Sequence, residues 1–299
     1  MKKSVSMLLA ALMLTGALAG CGSSASTSDS QAEDGADSGV SGAITVISRE
    51  DGSGTRGAFI ELTGVEEKTA DGKKVDNTTA DAEIANKTDV VLTSVAGNEK
   101  AIGYISLGAL NDTVKAVKVD GAEATVDNVK AGAYKLSRPF NIATKGEPTG
   151  VAKDFISFIL SKEGQAVVTD NKYIAVNDAA ESFVSDGSSG QIAVGGSSSV
   201  SPVMEKLIEA YKSVNPNASI DLQTSDSTSG MTGAMDGTFA IGMASRELKD
   251  EEAAQLTGTA IALDGIAVIV NPANTIDELS MDQIKSIYVG DITDWGDLA

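Results

Sequence analysis

Short apolar runs of strand length alternate along the chain with longer segments in which apolar residues recur every three or four positions. The short runs predict strands over Ile44–Ser48, Ile102–Ile105, Pro139–Thr144, Ile192–Val194, Phe239–Gly242 and Gly265–Val270. Two amphipathic segments predict helices, one over Ser201–Val214 and one over Thr149–Leu160 that continues through Gly164–Val168. This alternation predicts an α/β fold with mainly parallel sheets.

The N-terminal segment has the pattern of a lipoprotein signal peptide. Lys2 and Lys3 precede an apolar run over Met7–Leu14, and the segment ends in Leu18-Ala19-Gly20-Cys21. The run is too short to span a bilayer, and small or apolar residues before a cysteine suit cleavage and lipidation. We expect a signal peptide over 1–20 and a lipid at Cys21 that attaches an extracytoplasmic protein to the cell membrane. The alternative is an ordinary signal peptide with an accidental cysteine.

Two polar stretches interrupt the patterned sequence. Residues 22–42 consist almost entirely of Ser, Ala, Gly, Thr, Asp and Glu, a composition that cannot bury enough apolar surface to fold. Together with Cys21 they predict a flexible acidic linker over 21–42. Residues 177–190 have a similar composition and separate two blocks of patterned sequence, so we interpret them as a linker between the halves of the protein.

Composition excludes several classes of function. The net charge of −19 argues against nucleic acid as a partner. The chain has no histidine, and its single cysteine is Cys21, which excludes histidine-ligated zinc sites, Ser-His-Asp triads and thiolate metal sites. The phosphate-loop motif G-x-x-x-x-G-K-[ST] is absent from the sequence as well. We therefore expect no enzyme activity, no metal and no cofactor, and a hydrolase that uses Ser53 would have no histidine base.

Three clusters of serine, threonine and glycine each lead into a predicted helix. They lie over Ser48–Arg56, Gly195–Val200 and Asp226–Gly230. Helix starts expose backbone N–H groups and the positive end of the helix dipole, so the three clusters together predict an anion site even in an acidic protein. Each cluster alone would fit a turn or an N-cap.

Arg49 and Asp51 add charged side chains to the first cluster. Arg49 supplies a permanent positive charge for a tetrahedral oxyanion, and Asp51 supplies an acceptor for a proton of the ligand. The alternative for both residues is a surface salt bridge or a turn cap, which would have no role in binding.

Residues 48–56, Ser-Arg-Glu-Asp-Gly-Ser-Gly-Thr-Arg, closely resemble the signature of the phosphate-binding lipoproteins that serve as substrate-binding proteins of phosphate ABC importers. Segments over 96–104, 138–140, 144–148, 241–248 and 262–268 resemble the same family. Together the similarity covers nearly all of 43–176 and 191–299. The resemblance implies a two-lobed, type II-like periplasmic-binding-protein fold that holds its ligand in the cleft between the lobes.

The two blocks stand in the reverse of the family's usual order, so the chain resembles a circular permutant. Residues 177–190 would then join the family's usual C-terminus to its usual N-terminus, and Ala43 would lie close to Ala299. The resemblance implies crossing strands near 140–143 and 263–265. They give one lobe over 43–142 and 264–299 and a second lobe over 143–263.

The resemblance also implies that the protein binds inorganic phosphate and delivers it to the membrane permease of an ABC importer. Carried over residue by residue, it places phosphate contacts at Arg49, Ser53, Gly54, Thr55, Ser199, Val200 (through its backbone N–H), Ser227 and Ser245. Some relatives carry aspartate at the position of Ser245, so Asp51 is the expected buried acceptor that discriminates phosphate from sulfate. The alternatives are a binder of another oxyanion, such as sulfate or molybdate, and a phosphate-sensing module.

Overall fold

The computed structural model describes residues 40–298. The predicted signal peptide, Cys21 and nearly all of the linker over 21–42 lie outside these residues. Across the described part of the chain, no helix combines the length and the apolar character that crossing a membrane requires.

Strands and helices alternate through this part of the chain. The strands are β1 Thr45–Arg49, β2 Glu66–Lys68, β3 Lys74–Asp76, β4 Glu83–Ala85, β5 Ala101–Ser106, β6 Lys115–Ala116, β7 Lys118–Val119, β8 Ser137–Thr144, β9 Gly190–Ser197, β10 Ala218–Ser225, β11 Ile241–Ala244, β12 Thr257–Val270 and β13 Glu278–Leu279. The helices are α1 Gly54–Thr63, α2 Thr88–Ala96, α3 Val126–Lys130, α4 Gly150–Leu160, α5 Lys162–Asp170, α6 Ser201–Val214, α7 Ser227–Asp236, α8 Asp250–Ala253 and α9 Met281–Val289. Short 3₁₀ helices lie over Leu107–Ala109 and Trp295–Leu298. Each of the six predicted strands overlaps an observed one.

Nine of these strands form one mixed sheet. Its order is β10-β9-β11-β8-β12-β5-β1-β4, with β6 beside the end of β12. Strands β9, β10 and β11 run parallel in one part, and β1, β4 and β5 run parallel in the other. Strands β8 and β12 run antiparallel to each other and to their neighbours β11 and β5. The prediction of a mainly parallel sheet is therefore wrong, because the two long strands that join the parts pair in opposite directions.

Two large apolar cores lie on either side of the paired strands β8 and β12, which connect the two parts of the sheet. The first contains Phe59, Tyr104 and Ile287, and the second contains Phe155, Val194 and Leu207. On β12, Ile261 and Ala262 belong to the second core, and the residues from Ile266 onward belong to the first. We call the part around the first core the Arg49 half and the part around the second core the Ser199 half. Both predicted lobe boundaries, 142/143 and 263/264, fall within the crossing strands and stay predictions.

The first described residues pack against the last ones. Ile44 N donates to Thr293 O at 2.8 Å, Trp295 N donates to Gly42 O at 3.1 Å, and Ala43 forms a bridge with Asp294. Trp295 is buried within the first core. The start of one sequence block therefore lies beside the end of the other, as a circular permutant requires. The permuted order itself stays a prediction, and Ala299 lies outside the described residues.

Helix α6 begins and ends at the predicted residues, whereas the other predicted helix is divided into α4 and α5. Ser161 lies between them in an extended conformation, with φ −74° and ψ 169°. Its Oγ accepts from Gly164 N at 3.2 Å and so caps the start of α5. The prediction of one continuous helix is therefore wrong, because serine offers the backbone a capped helix start at this position.

The predicted linker over 177–190 has no regular secondary structure up to β9 and is anchored by Asp154 of α4. Ser185 Oγ and Asp186 N from this segment donate to the Asp154 carboxylate at 2.8 and 2.9 Å. Tyr211 and Asn215 of the Ser199 half donate to the same carboxylate. Burial opposes ionisation of Asp154, but these hydrogen bonds outweigh it and lower the pKa of the carboxyl below its ordinary value.

We expect Asp154→Asn to destabilise the protein by about 1–3 kcal/mol at neutral pH, because an amide cannot accept all of these hydrogen bonds. Since the folded state lowers the pKa of Asp154, its contribution is present above the unfolded value near pH 3.9 and is lost as the pH falls. Thermal melts of both proteins at about pH 7 and about pH 3.5 measure this. The stability difference should shrink at the lower pH, and a constant difference would contradict the prediction.

Candidate anion-binding site

The starts of α1, α6 and α7 come together where the two halves face each other. The N-cap residues of these helices belong to the three predicted clusters of serine, threonine and glycine. Ser53 Oγ accepts from Arg56 N at 3.3 Å and caps α1, and Asp226 Oδ1 accepts from Ser229 N at 2.9 Å and caps α7. Other first-turn N–H groups have no partner within their own helix. The predicted convergence of helix starts is found.

Five hydroxyl groups form a buried cluster between the halves, which we call the hydroxyl cluster. Its members are Thr55, Ser197, Ser199, Ser227 and Ser245, each at most 3% exposed. Thr55 Oγ1 lies 2.8 Å from Ser199 Oγ and 3.3 Å from Ser245 Oγ, and these contacts join the two halves. Ser197 Oγ donates to Ser245 Oγ at 3.0 Å. Because a hydroxyl can rotate and can both donate and accept, the cluster can present several donors to an anion.

Arg49 places a guanidinium beside this cluster. Its side chain is 2% exposed and its Nε and Nη2 each donate to the Glu50 carboxylate at 2.9 Å. Nη2 also donates to Ser198 Oγ at 3.1 Å. The remaining nitrogen, Nη1, is buried and has no hydrogen-bond partner among the described residues. A buried donor without a partner is costly, so an anion that accepts from Nη1 would be favoured here.

Tyr104 of β5 fixes the end of β1 that carries Arg49. Its hydroxyl lies 2.9 Å from Ser48 Oγ and accepts from Arg49 N at 3.2 Å. Its ring stacks on Phe59 of α1 with centroids 3.9 Å apart. Burial raises the pKa of Tyr104 to about 12, so its hydroxyl stays neutral. Strand, helix and tyrosine therefore hold Arg49 in one orientation.

Asp51 does not lie in the hydroxyl cluster. Its side chain is 97% exposed and pairs with Arg56 Nη1 at 2.8 Å. The prediction that Asp51 is a buried acceptor for the ligand's proton is therefore wrong for this structure. Arg56 lies in the first turn of α1 and pairs with the carboxylate at the surface, which is the surface salt bridge given above as the alternative.

The other predicted contact residues lie at the site, with one difference in detail. Arg49, Ser53, Gly54, Thr55, Ser199, Ser227 and Ser245 are all buried or lie in the capped first turn of α1. Val200 is buried as well, but its backbone N–H donates to Ser197 O at 3.0 Å. The predicted role of this N–H as a ligand contact is therefore not seen here, because the turn before α6 already uses it. That these residues bind a ligand stays a prediction.

Sequence reasoning missed Arg138 and Asp264, which form a buried ion pair between β8 and β12. Arg138 Nη1 lies 2.6 Å from Asp264 Oδ2. Arg138 precedes the strand that was predicted from Pro139, so it was not assigned to a sheet. An arginine next to an apolar strand was the available signal. Ser197 and Ser198 were also missed as site residues, although they stand in the cluster over Gly195–Val200. The sequence pattern does not distinguish a serine that forms a turn from one that donates to a ligand.

Gly52 allows the backbones of the two halves to touch. Gly52 O accepts from Thr228 N at 3.1 Å and from Thr228 Oγ1 at 3.3 Å. A Cβ at Gly52 would collide with the Asp226 carboxylate. The close approach of α1 and α7 therefore depends on glycine at this position.

Comparisons with known proteins agree with this architecture. The model of the PBP superfamily domain matches residues 24–163 and 182–299. The phosphate-binding protein PstS 2 of Streptococcus agalactiae serotype V is 50% identical over 300 residues, which cover 99% of this chain and 98% of that protein. PstS 2 of Streptococcus pneumoniae serotype 4 is 48% identical over 296 residues, which cover 99% of each. This chain belongs to that family of phosphate-binding proteins.

A solved structure extends the similarity to the fold. The phosphate-binding protein of a phosphate ABC transporter from Streptococcus pneumoniae TIGR4 superposes with a TM-score of 0.69 at 50% identity. The superposition covers 86% of this chain and all of that one. Because both PstS 2 relatives match nearly end to end, they share the order of the two sequence blocks found in this chain.

We expect Gly52→Ala to hold the two halves apart, because the added methyl group would meet the Asp226 carboxylate. Gly57→Ala is the matched control, since a Cβ there lies in ordinary contact with Arg246, at 3.8 Å, within helix α1. Small-angle X-ray scattering should give a larger radius of gyration for Gly52→Ala and an unchanged one for Gly57→Ala. Equal radii for both variants would mean that the contact between Gly52 and α7 does not determine how closely the two halves approach each other.

Proposed function

We propose that this protein binds inorganic phosphate outside the cytoplasm and delivers it to the permease of an ABC importer. The observation that carries the proposal is Nη1 of Arg49, which is buried beside hydroxyl groups from both halves and has no hydrogen-bond partner within residues 40–298. The names of the full-length relatives support the same ligand. Attachment to the membrane through a lipid at Cys21 is part of the proposal and rests on the signal-peptide pattern.

Neutral donors would supply most of the contacts to phosphate. We assign Arg49, Ser53, Gly54 and Thr55 from one half and Ser199, Ser227 and Ser245 from the other. The Glu50 carboxylate balances much of the Arg49 charge, so the anion is held by hydrogen bonds aimed from the protein and not by an excess of positive charge. This arrangement suits a protein with a net charge of −19, because the donors are local and excluded from water.

Binding and closure would be coupled. Phosphate can contact both sets of donors only when the two halves meet, so the ligand stabilises the closed arrangement by its differential affinity. The closed protein would then dock on the permease. A phosphate-sensing role would use the same closure, and sulfate or molybdate would compete for the same donors.

Calorimetric titration of the protein without its lipid anchor should detect phosphate binding. Arg49→Lys should raise the Kd at least about tenfold, a loss of about 1.4 kcal/mol, because an ammonium cannot reproduce the planar fork. Arg246→Lys is the control, since both terminal nitrogens of Arg246 already engage Glu252 at 2.7 and 2.8 Å. Absence of phosphate binding would refute the proposal, and equal binding of sulfate or molybdate would replace it with a general oxyanion binder.

Because the Asp51 carboxylate is exposed, Asp51→Asn should change the Kd for phosphate by no more than about twofold. The ratio of phosphate to sulfate affinity should be equally unaffected. Parallel titrations of the variant with both anions check this. A clear rise in sulfate binding would show that Asp51 turns inward when the ligand is present, and would restore it as the proton acceptor.

A further inference from the structure

A buried ion pair joins β8 and β12, the paired strands that connect the two halves. Arg138 and Asp264 stand opposite each other in the antiparallel ladder and are 3% and 1% exposed. Arg138 Nη1 donates to Asp264 Oδ2 at 2.6 Å and to Gly265 O at 2.9 Å. Burial raises the pKa of Asp264, and the positive charge of Arg138 opposes that rise. Each charge therefore depends on the other to remain in the interior.

The other nitrogens of Arg138 reach the hydroxyl cluster. Nε donates to Ser245 O at 3.2 Å, in the Ser199 half. Nη2 donates to Thr55 Oγ1 at 3.1 Å, in the Arg49 half. One rigid, planar group thus contacts the crossing strands and both halves of the site at once. A lysine ammonium, which is a compact charge without a fixed fork, could not hold these directions together.

The contact with Thr55 limits how its hydroxyl can point. A guanidinium only donates, so Thr55 Oγ1 must accept from Arg138. A hydroxyl has a single proton, and the proton of Thr55 is left for the opposite side, where Ser199 Oγ lies at 2.8 Å and Ser245 Oγ at 3.3 Å. Arg138 therefore keeps Thr55 available as a donor toward the interior of the hydroxyl cluster.

We propose that Arg138 is a positioning residue for phosphate binding, which aligns Thr55 and Ser245 from the two halves and ties their alignment to the crossing strands. The inference rests on the proposed phosphate function. Arg138 acts through Thr55 and needs no contact of its own with the anion. Removal of the Thr55 hydroxyl should therefore remove most of the effect of Arg138, whereas a residue that only stabilises the fold would act independently of Thr55.

A double-mutant cycle read by phosphate titration tests this coupling. Arg138→Gln combined with Asp264→Asn removes both charges together, so neither is left buried without a partner. This neutral pair should raise the Kd for phosphate at least about tenfold, and Thr55→Val in the wild-type chain should do the same. In the neutral-pair background, Thr55→Val should add less than about twofold, because the hydroxyl is no longer aligned. Asp154→Asn, which lowers stability away from the site, should leave the Kd unchanged and serves as the stability control.

The outcomes separate this inference from the proposed function. If the wild-type protein does not bind phosphate, the proposed function fails and the inference falls with it. If the wild type binds phosphate and the neutral pair binds it within about twofold of the wild type, the inference alone is overturned. The same holds if Thr55→Val costs equally in both backgrounds. If the neutral pair does not fold, Arg138→Lys takes its place in the cycle, and wild-type affinity in that variant overturns the inference.

Discussion

The antiparallel pairing of β8 with β12 is the constraint on which the site depends. Residues Thr257–Gly265 of β12 pair with β8, and Ile266–Val270 pair with β5, so a single strand belongs to both halves. β1, β9 and β11 each end at the site, and the turns or helices that follow carry the donors. Ligand sites in open α/β sheets are commonly found at the carboxyl ends of strands, and here the crossing brings strand ends from two cores to one place.

Burial without excess charge is the second feature of the site. Both fully buried arginines have a carboxylate partner, Glu50 for Arg49 and Asp264 for Arg138. The pairing lowers the cost of holding a guanidinium away from water, while the fork still leaves N–H groups for other acceptors. The chain has only four arginines, and the other two also donate to protein acceptors: Arg56 to Arg49 O and Arg246 to the Glu252 carboxylate. Lysine supplies the remaining positive charge, because solvated sites do not need a planar fork.

Site residues were predictable from the sequence where a local rule governs them. Ser53 and Asp226 cap helices because serine and aspartate are favoured at N-cap positions. Together with the cluster over Gly195–Val200, the clusters that contain them indicated three helix starts. Asp51 stands in the same cluster as Ser53, yet it points to solvent because Arg56, in the first turn of α1, pairs with it there. No spacing rule tells which of two neighbouring polar side chains faces inward. Arg138 and Asp264 are 126 positions apart, so their pairing had no local signal at all.

The amino-acid sequence was enough to predict the α/β class, helix α6 and the positions of most strands, since hydrophobic periodicity and capping act over a few residues. With the resemblance of residues 48–56 and of the further segments, it also identified the family. Four features became visible in the folded protein alone: the sheet is mixed, Asp51 is exposed, the Val200 N–H is already used, and Arg138 reaches Thr55. These features depend on which distant strands pair and in which direction. That choice is made by burial of two cores at once, which the order of residues along a single segment does not encode.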